Sequence, residues 1–363
     1  MDRRVKNIFN NLEKKPDLII IKNSNEPYID DNFFYFTGIE QGLFEGSIAI
    51  LYPDGKIDII VSELEAEIAK KANVNINIYR NESEYEKLLK VPLSFVKSIG
   101  LNYNGISHKD FNKLKDNFKG LDFIDISKDI TKNRLVKDEL EISLIKKACE
   151  ITDRVVEKIP QIIHSGIYEY ELAAEIDYLM QKYGANKPAF ETISSFGKNS
   201  SEPHYSHGEV QINKGDIVLC DFGACYKKYN SDITRTFIFG EASEKQKNMY
   251  KTVFEAQKIG LETIMPDIMA KDVHKAVDSY IERTEFKGRF IHSTGHSIGL
   301  AVHDSEVRIS MNSDIKLKEN MVFTVEPGVY IPGFGGVRIE DDVLIKKDGI
   351  EVLTKSSKEL IEI

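Results

Sequence analysis

Four carboxylates stand inside stretches of sequence that otherwise have the apolar, β-branched pattern of buried strands. They constrain the fold more than any other feature. Asp221 lies near the end of the run GDIVLCDFG, and Asp232 lies in SDITRTF. Glu326 and Glu340 have similar places in MVFTVEPG and GVRIE. Because an isolated charge is costly to bury, the fold must bring these carboxylates close to cations.

Each pair of carboxylates is predicted to lie on neighbouring strands. The linker at residues 226–230 is short enough for a hairpin between the first two strands, which would put the two aspartates at neighbouring positions of one sheet. A glycine-rich turn joins the segments of the two glutamates in the same way. Between the pairs lies HSTGHSIGLAVHD, which contains His296 and whose glycines allow the backbone to approach a ligand closely.

These side chains make an oxygen-dominated ligand set with one imidazole and no thiolate. Such a set favours manganese, cobalt, iron or zinc and does not choose among them. Two divalent cations would balance the roughly four negative charges, and bridging carboxylates suit metals roughly 3.5 to 4 Å apart. Any one of these residues alone is more simply explained as a turn residue. Together they predict a dinuclear metal-dependent hydrolase.

The length of 363 residues and a change of pattern near position 130 predict two domains. Residues 1–130 alternate strand-like and helix-like segments, which indicates a smaller α/β domain. In this part a Pro-Asp-Gly turn predicts a hairpin over residues 46–61, and Ser62 with Glu65 predicts a capping box at the start of a helix. Residues 131–363 have runs of helix and strand that do not alternate strictly, which favours an α+β domain.

Composition excludes several classes of function. With 49 Lys+Arg against 58 Asp+Glu, the net charge of −9 argues against a nucleic-acid partner. No apolar run approaches the roughly 18 residues that cross a bilayer, and no apolar segment follows the basic N-terminus as in a signal peptide. Three cysteines are too few for a disulfide framework. We therefore expect a cytoplasmic protein that does not bind membranes.

Five residues occur in order in specific contexts: Asp221 in DFGA, Asp232 in SDITRTF, His296 in TGHSIGLAVHD, Glu326 in VEPGVY and Glu340 in GGVRIEDD. In these contexts the chain resembles the catalytic domain of the M24 metallopeptidases, the pita-bread fold. The family includes methionine aminopeptidase, aminopeptidase P, prolidase and creatinase. The resemblance implies an α+β chain with a C-terminal pita-bread (creatinase/aminopeptidase-like) catalytic domain, preceded by the smaller α/β domain.

The N-terminal part of the chain indicates which branch of the family it resembles. The segment DNFFYFTGI at residues 31–39 and the stretch at 134–142 are similar to the creatinase, prolidase and aminopeptidase P branch. Methionine aminopeptidases usually lack this N-terminal domain, and creatinase does not keep the full ligand set. The resemblance therefore implies a metal-dependent Xaa-Pro peptidase.

Within that resemblance each ligand has an implied role. Asp221 would hold one metal, Asp232 and Glu340 would bridge both metals, and His296 and Glu326 would complete the second. The metals would lower the pKa of a bridging water, so that hydroxide attacks the scissile carbonyl. Glu326 would also act as the proton shuttle.

Four further residues are candidates for the substrate site. By resemblance, His204 and His303 would steady the tetrahedral intermediate, although without the family His204 is more simply a solvated loop histidine. His292 matches a position near the substrate, and a purely structural role is equally compatible with its sequence. Arg338 shares a strand face with Glu340 and is expected to pair with a ligand carboxylate.

The expected activity is hydrolysis of the N-terminal Xaa-Pro bond of dipeptides or short peptides, with two divalent ions, manganese first and cobalt, zinc or iron as alternatives. The alternatives are an M24 aminopeptidase of other specificity and a non-catalytic peptide-binding module on the same fold. The resemblance also implies a homodimer. Whether longer peptides are accepted, and what forms a proline pocket in a chain without Trp, stay open at this point.

Overall fold

Strands and helices alternate along the first of two structural units, Met1–Arg134, in the computed structural model, which describes residues 1–363. The strands of this unit are Leu18–Lys22 (β1), Ile48–Leu51 (β2), Ile57–Ser62 (β3), Asn75–Tyr79 (β4), Ser98–Leu101 (β5) and Asp122–Asp125 (β6). The helices of this part are Asp2–Asn11 (α1), Asp31–Thr37 (α2), Ala66–Ala69 (α3), Glu82–Leu93 (α4), His108–Asn117 (α5) and Ser127–Leu135 (α6).

The six strands form one mixed sheet in the order β4-β3-β2-β1-β5-β6. The β1-β2 and β2-β3 pairs are antiparallel, which confirms the predicted hairpin, and the other pairs are parallel. All five residues of β1 are buried, as its unbroken apolar pattern predicts for a central strand. Leu18 and Ile20 pack with Leu89 of α4 and Leu114 of α5 in one core.

The capping box predicted at Ser62 and Glu65 is wrong. Ser62 precedes a 3₁₀ turn, Glu63–Glu65, and its side chain makes no capping hydrogen bond. The Glu65 carboxylate instead accepts a hydrogen bond of 3.0 Å from the backbone N–H of Phe44. Because a tertiary contact occupies this carboxylate, the first turn is not capped and α3 is short.

The second unit, Leu135–Ile363, contains helices and many short strands. Its helices are Glu139–Val156 (α7), Ile159–Ile162 (α8), Glu169–Lys182 (α9), Glu244–Thr263 (α10) and Ala270–Ile281 (α11). Its strands are Lys187–Pro188 (β7), Ile193–Phe196 (β8), Ile217–Phe222 (β9), Ala224–Tyr226 (β10), Tyr229–Asn230 (β11), Ile233–Ile238 (β12), Gly295–His296 (β13), Arg308–Ile309 (β14), Val322–Val325 (β15), Gly328–Ile331 (β16), Gly335–Arg338 (β17), Asp341–Lys346 (β18) and Gly349–Val352 (β19). Across the chain, no helix has the length and apolar character that crossing a membrane requires.

Two helix layers cover the strands of this unit. Residues of α7 and α9 pack against β9 and β12, as Ile151 does with Val218 in one core. Residues of α10 and α11 pack against β16 and β17, as Val253 does with Val329 in another. Ile217, next to Val218 on β9, belongs to this second core. Since successive strand residues point to opposite faces, β9 lies between the two layers.

The predicted hairpin between the two aspartates is confirmed, but its ladder is interrupted. β9 and β12 do pair antiparallel, with Asp221 opposite Thr234. The linker, however, folds into its own pair of strands, β10 and β11, and β10 also pairs with β7. Asp232 directly precedes β12 and lies two residues from Thr234. Asp221 therefore lies within the ladder, and Asp232 lies just beyond its end.

The two glutamates flank the end of a second ladder. β15 pairs antiparallel with β18, with Val325 opposite Asp341 as the last pair. Glu326 follows β15 and Glu340 precedes β18. The glycine-rich turn belongs to a separate hairpin of β16 and β17, which lies between them in sequence. Both glutamates thus leave the ladder at the same end.

A buried ion pair ties the two ladders together. The Arg235 guanidinium on β12 is 2.8 Å from the Asp341 carboxylate on β18, and both side chains are at most 2% exposed. Arg235 also donates hydrogen bonds of 2.6 Å to the carbonyl oxygen of Glu340 and 3.0 Å to that of Ser356. Removing the guanidinium would leave several buried acceptors without a donor.

We expect Arg235→Met to lower the free energy of unfolding by about 3 kcal/mol and the thermal midpoint by about 6 to 12 °C. Lys247→Met is the matched control, because Lys247 and Glu244 form an exposed pair at 3.6 Å. Differential scanning calorimetry of both variants makes the comparison. Equal midpoints for the two variants would contradict a stabilising role for the buried pair.

Candidate metal centre

All nine residues singled out from the sequence line one cavity of about 490 Å³: Asp221, Asp232, His296, Glu326, Glu340, His204, His292, His303 and Arg338. Sequence reasoning missed seven other residues of its wall: Phe190, Ile193, Pro203, Ser293, Ala301, Val302 and Arg308. The cavity therefore combines a cluster of charged and polar groups with apolar side chains.

Three of the five expected ligands lie closest together. Ligand atoms of Asp232, His296 and Glu340 are all within 4.8 Å of one another, and all three residues are buried. His296 Nε2 is 3.5 Å from Asp232 Oδ2 and 3.5 Å from Glu326 Oε1. Carboxylate oxygens and an imidazole nitrogen thus converge on one space, as in a site for a divalent cation.

Gly295 allows the strand of His296 to lie close to β15. A Cβ added at Gly295 would overlap the carbonyl oxygen of Thr324 on β15. The backbone N–H of His296 donates a hydrogen bond of 3.0 Å to the Thr324 hydroxyl. The sequence TGH therefore fixes the imidazole beside the end of β15.

Two threonines orient the glutamates. The Thr234 hydroxyl donates a 2.6 Å hydrogen bond to Glu340 Oε2, and the Thr324 hydroxyl donates one of 3.2 Å to Glu326 Oε1. Each threonine lies two residues from an expected ligand in sequence, Thr234 after Asp232 and Thr324 before Glu326. Residues two apart share a strand face, so this spacing was the signal that could have identified them.

Repulsion among the carboxylates is strong in the absence of a cation. Burial, followed by the charges of Glu340 and Asp221, raises the pKa of Asp232 well above its usual range. Burial and the charges of Glu326 and Asp221 do the same to the pKa of Glu340. Burial raises the pKa of Glu326 to about 7, although Arg338 opposes that shift.

Unpaired carboxylate oxygens and a neutral imidazole also fit a divalent cation. Asp221 Oδ1 and Asp232 Oδ1 are buried oxygens without a hydrogen-bond partner, and such groups call for an explanation in a native structure. Burial, followed by the charge of His303, lowers the pKa of His296 to about 3. The imidazole therefore stays neutral and keeps a lone pair for a metal.

Arg338 lies beside Asp221 and connects it to an aromatic residue. Its Nη2 donates to Asp221 Oδ2 in a short hydrogen bond. Its Nη1 donates a 2.8 Å hydrogen bond to the hydroxyl of Tyr330. Burial alone would lower the pKa of Arg338, but Tyr330 and the surrounding carboxylates raise it above its usual value. Arg338 is thus a permanent cation at the edge of the cluster.

The contacts of His292 define its protonation. Its Nδ1 lies 2.8 Å from the carbonyl oxygen of Ser293, which can only accept, so Nδ1 carries the proton. Burial and the charge of Arg338 lower the pKa of His292 to about 3. The neutral ring therefore accepts at Nε2 from the Tyr330 hydroxyl, 2.9 Å away. Tyr330 was not among the site residues predicted from the sequence.

The two remaining histidines are exposed. The His303 ring packs edge-on against the His296 ring, with centroids 4.2 Å apart. Partial burial of the ring and the charge of Arg308 lower the pKa of His303. His204 follows Pro203 in the cavity wall, and its charge would act on both His303 and His292. Both rings are open to a ligand in the cavity.

In the metal-free protein we expect stability to fall as pH rises from about 6.5 to about 8. The carboxyls with raised pKa values keep protons in the folded state that the unfolded chain has lost, so raising the pH favours unfolding. Glu326 alone contributes about 1 kcal/mol over this range. Histidines with lowered pKa values make stability rise with pH below about pH 6.5, because the unfolded chain binds protons there that the folded protein does not. Thermal unfolding of the chelator-treated protein at several pH values measures how the midpoint falls with pH. Glu326→Gln should make this fall smaller. A midpoint that rises with pH over this range would contradict the prediction.

Comparisons with known proteins agree with this geometry. Residues 143–347 match Metallopeptidase family M24, and residues 6–136 match the Creatinase/Prolidase N-terminal domain. The Xaa-Pro dipeptidase of Pyrococcus horikoshii is 39% identical over 99% of each chain.

Solved structures give the same result. A prolidase from Pyrococcus horikoshii has a TM-score of 0.89 at 37% identity and covers 99% of this chain and 100% of its own. An X-Pro aminopeptidase from Thermotoga maritima has a TM-score of 0.90 at 33% identity, with 96% and 98% covered. The predicted fold class is confirmed, and the chain belongs to metallopeptidase family M24, with a creatinase/prolidase-type N-terminal domain.

Proposed function

We propose that the chain hydrolyses the N-terminal Xaa-Pro bond of dipeptides and short peptides, using divalent cations held by the carboxylate cluster. One observation carries the proposal: five ligand-type side chains converge in a cavity where buried carboxylate oxygens have no hydrogen-bond partner. The Xaa-Pro specificity rests on the dipeptidase and aminopeptidase that the chain resembles over nearly its full length.

The proposed ligand assignment follows the resemblance to the M24 family. Asp232 and Glu340 would be shared by two cations. Asp221 would hold one of the cations, and His296 with Glu326 would hold the other. When bound, the cations neutralise the carboxylates and acidify a water molecule in the cavity. Manganese is our first expectation, with cobalt, zinc or iron as alternatives.

Glu326 is suited to move a proton between water and the leaving nitrogen. Its Oε1 accepts from Thr324, while its Oε2 lies 3.9 Å from His292 Nδ1. A carboxyl at this position beside the expected cations can take up and release a proton, as a general acid and base requires. Because Thr324 occupies Oε1, Oε2 is the oxygen that carries the proton.

His204 and His303 are proposed to donate hydrogen bonds to the oxygen that becomes negative during the attack on the carbonyl. His292 is proposed to act beside them through its contacts. It accepts from Tyr330, which accepts from Arg338, and Arg338 in turn holds Asp221. The chain of hydrogen bonds thus fixes an expected metal ligand from outside the cluster.

Apolar side chains provide a surface for a proline ring. Phe190, Ile193 and Val302 line the cavity together with the charged groups. A rigid ring without an amide N–H contacts apolar atoms and needs no donor partner at nitrogen. We propose that these three residues take the place that Trp has in other proline pockets.

Arg308 provides a reason to favour dipeptides. It lines the cavity and acts electrostatically on His296, His303 and Glu326. Unlike Arg338, it forms no ion pair, so its guanidinium is available to a carboxylate from the substrate. We propose that Arg308 binds the C-terminal carboxylate of an Xaa-Pro dipeptide, which in a longer peptide lies farther from the scissile bond.

Two alternatives follow from the same fold. An Xaa-Pro aminopeptidase would prefer tripeptides, and a peptide-binding module would bind without turnover. The homodimer stays a prediction that sedimentation of the purified chain can test.

We expect metal-dependent hydrolysis of an Xaa-Pro dipeptide by the full-length protein after reconstitution with manganese, cobalt or zinc. Asp232→Ala should abolish turnover and retain the circular dichroism spectrum, because it removes a shared ligand and relieves repulsion. An Xaa-Pro-Yaa tripeptide is the second substrate. Faster cleavage of the tripeptide would indicate an aminopeptidase. No cleavage of either, or normal turnover by the variant, would contradict the proposal.

For Arg308→Met we expect the KM for the dipeptide to be about 10 to 100 times higher, because the variant loses one hydrogen-bonded charge pair with the substrate. The corresponding Xaa-Pro amide, which lacks the carboxylate, should show little change. Arg283→Met serves as the control, since Arg283 is an exposed arginine outside the cavity wall. A similar rise in KM for the amide would rule out recognition of the carboxylate.

A further inference from the structure

A fully buried ion pair lies directly behind the loop of His303. Lys137 Nζ is 2.7 Å from Asp304 Oδ2, and the two side chains are 0% and 2% exposed. Neither residue lines the cavity. A buried pair is a poor way to gain stability, since an apolar pair of the same volume often does as well. Its position next to His303 indicates a different role.

Asp304 is the anchor of its segment. Among residues 301–306 it is the only one that is buried, while His303 is exposed to the cavity. The backbone N–H of Asp304 donates a 2.8 Å hydrogen bond to the carbonyl oxygen of Ser297. The next two residues, Ser305 and Glu306, have positive φ angles of 61° and 53°, which non-glycine residues rarely adopt. The segment keeps this backbone only while something holds it.

Lys137 is held independently of that loop. Its backbone N–H donates a 2.8 Å hydrogen bond to the carbonyl oxygen of Asn320. The following residue, Asp138, is the N-cap of α7 and forms a capping box with Glu141. The ammonium group therefore projects from a fixed helix start, and the Asp304 carboxylate is fixed by it.

The space around the ion pair leaves little room for movement. A Cβ added at Gly299 would lie 2.6 Å from Asp304 Oδ2 and 3.2 Å from Lys137 Cε. The Asn230 side chain donates hydrogen bonds of 3.1 and 2.9 Å to the carbonyl oxygens of Gly299 and Leu300. The loop thus packs closely around the ion pair. It carries His296 at one end and His303 at the other.

We propose that Lys137, through Asp304, is a positioning residue that fixes the His303 imidazole against the His296 ring and toward the cavity. The inference rests on the proposed function, since His303 there donates to the developing oxyanion. Lys137 lies about 170 residues from His303 in sequence, at the start of α7. Lys137 does not line the cavity, and it acts on the reaction through the loop.

The test is a double-mutant cycle of Asp304→Asn and His303→Ala in the full-length, metal-reconstituted protein. Asp304→Asn keeps the side-chain size and removes the charge. We expect it to lower kcat for an Xaa-Pro dipeptide about 100-fold, with metal content equal to that of the parent and a lower thermal midpoint, because a charged partner of the buried Lys137 is lost. In the His303→Ala background the same substitution should change kcat less than about two-fold. Equal effects in both backgrounds, or loss of metal, would overturn the proposal.

The Lys137→Met/Asp304→Leu double variant covers the case in which Asp304→Asn does not fold, because it removes both charges of the buried pair. It should show the same loss of kcat, and parental kcat would overturn the proposal. The control is Lys146→Met, which removes a 2.7 Å ion pair with Glu351 in the same unit, away from the cavity. That variant should keep its kcat.

A second readout does not depend on turnover. In the zinc-loaded protein, imidazole NMR signals report the environment of each of the eight histidines. We expect Asp304→Asn to shift or broaden the His303 signals and to leave those of His164 unchanged. If the parent does not cleave Xaa-Pro substrates, the proposed function fails, while this shift still supports the positioning role. Unchanged His303 signals overturn it.

Discussion

Repulsion among buried carboxylates is the constraint on which the catalytic unit depends. Asp221, Asp232, Glu326 and Glu340 line one cavity, and burial raises the pKa values of the last three above their usual range. The repulsion in a fold that brings these groups together is relieved only when protons or cations neutralise them. Arg338 provides one such charge at Asp221, and the remaining charge is left for bound metal.

The rest of the unit holds this costly arrangement in place. Two antiparallel ladders end at the cavity, and the buried pair of Arg235 and Asp341 ties them together. A second buried pair, Lys137 and Asp304, fixes the loop behind His303. In both places a charged side chain is fully buried, so that geometry is specified at points where apolar packing alone would permit several arrangements.

The five expected ligands could be found from sequence because carboxylates in apolar strands are rare and their contexts are specific. The residues around these ligands could not be found in this way. Tyr330 contacts His292 and Arg338, and Arg308 lines the cavity, but a tyrosine or an exposed arginine carries no local sequence signal of such a role. The capping box at Ser62 failed because Glu65 makes a tertiary contact with Phe44. The hairpin at residues 226–230 was predicted correctly, but the additional pairing of β10 with the distant strand β7 carries no local sequence signal.

Crystals of the full-length protein soaked with manganese and measured near the manganese absorption edge test the central claim most directly. We expect two anomalous peaks roughly 3.5 to 4 Å apart among Asp221, Asp232, His296, Glu326 and Glu340. A single peak bounded by Asp232, His296 and Glu340 would contradict the dinuclear assignment. The absence of any peak in this cavity would contradict the account that the buried carboxylates are a metal site.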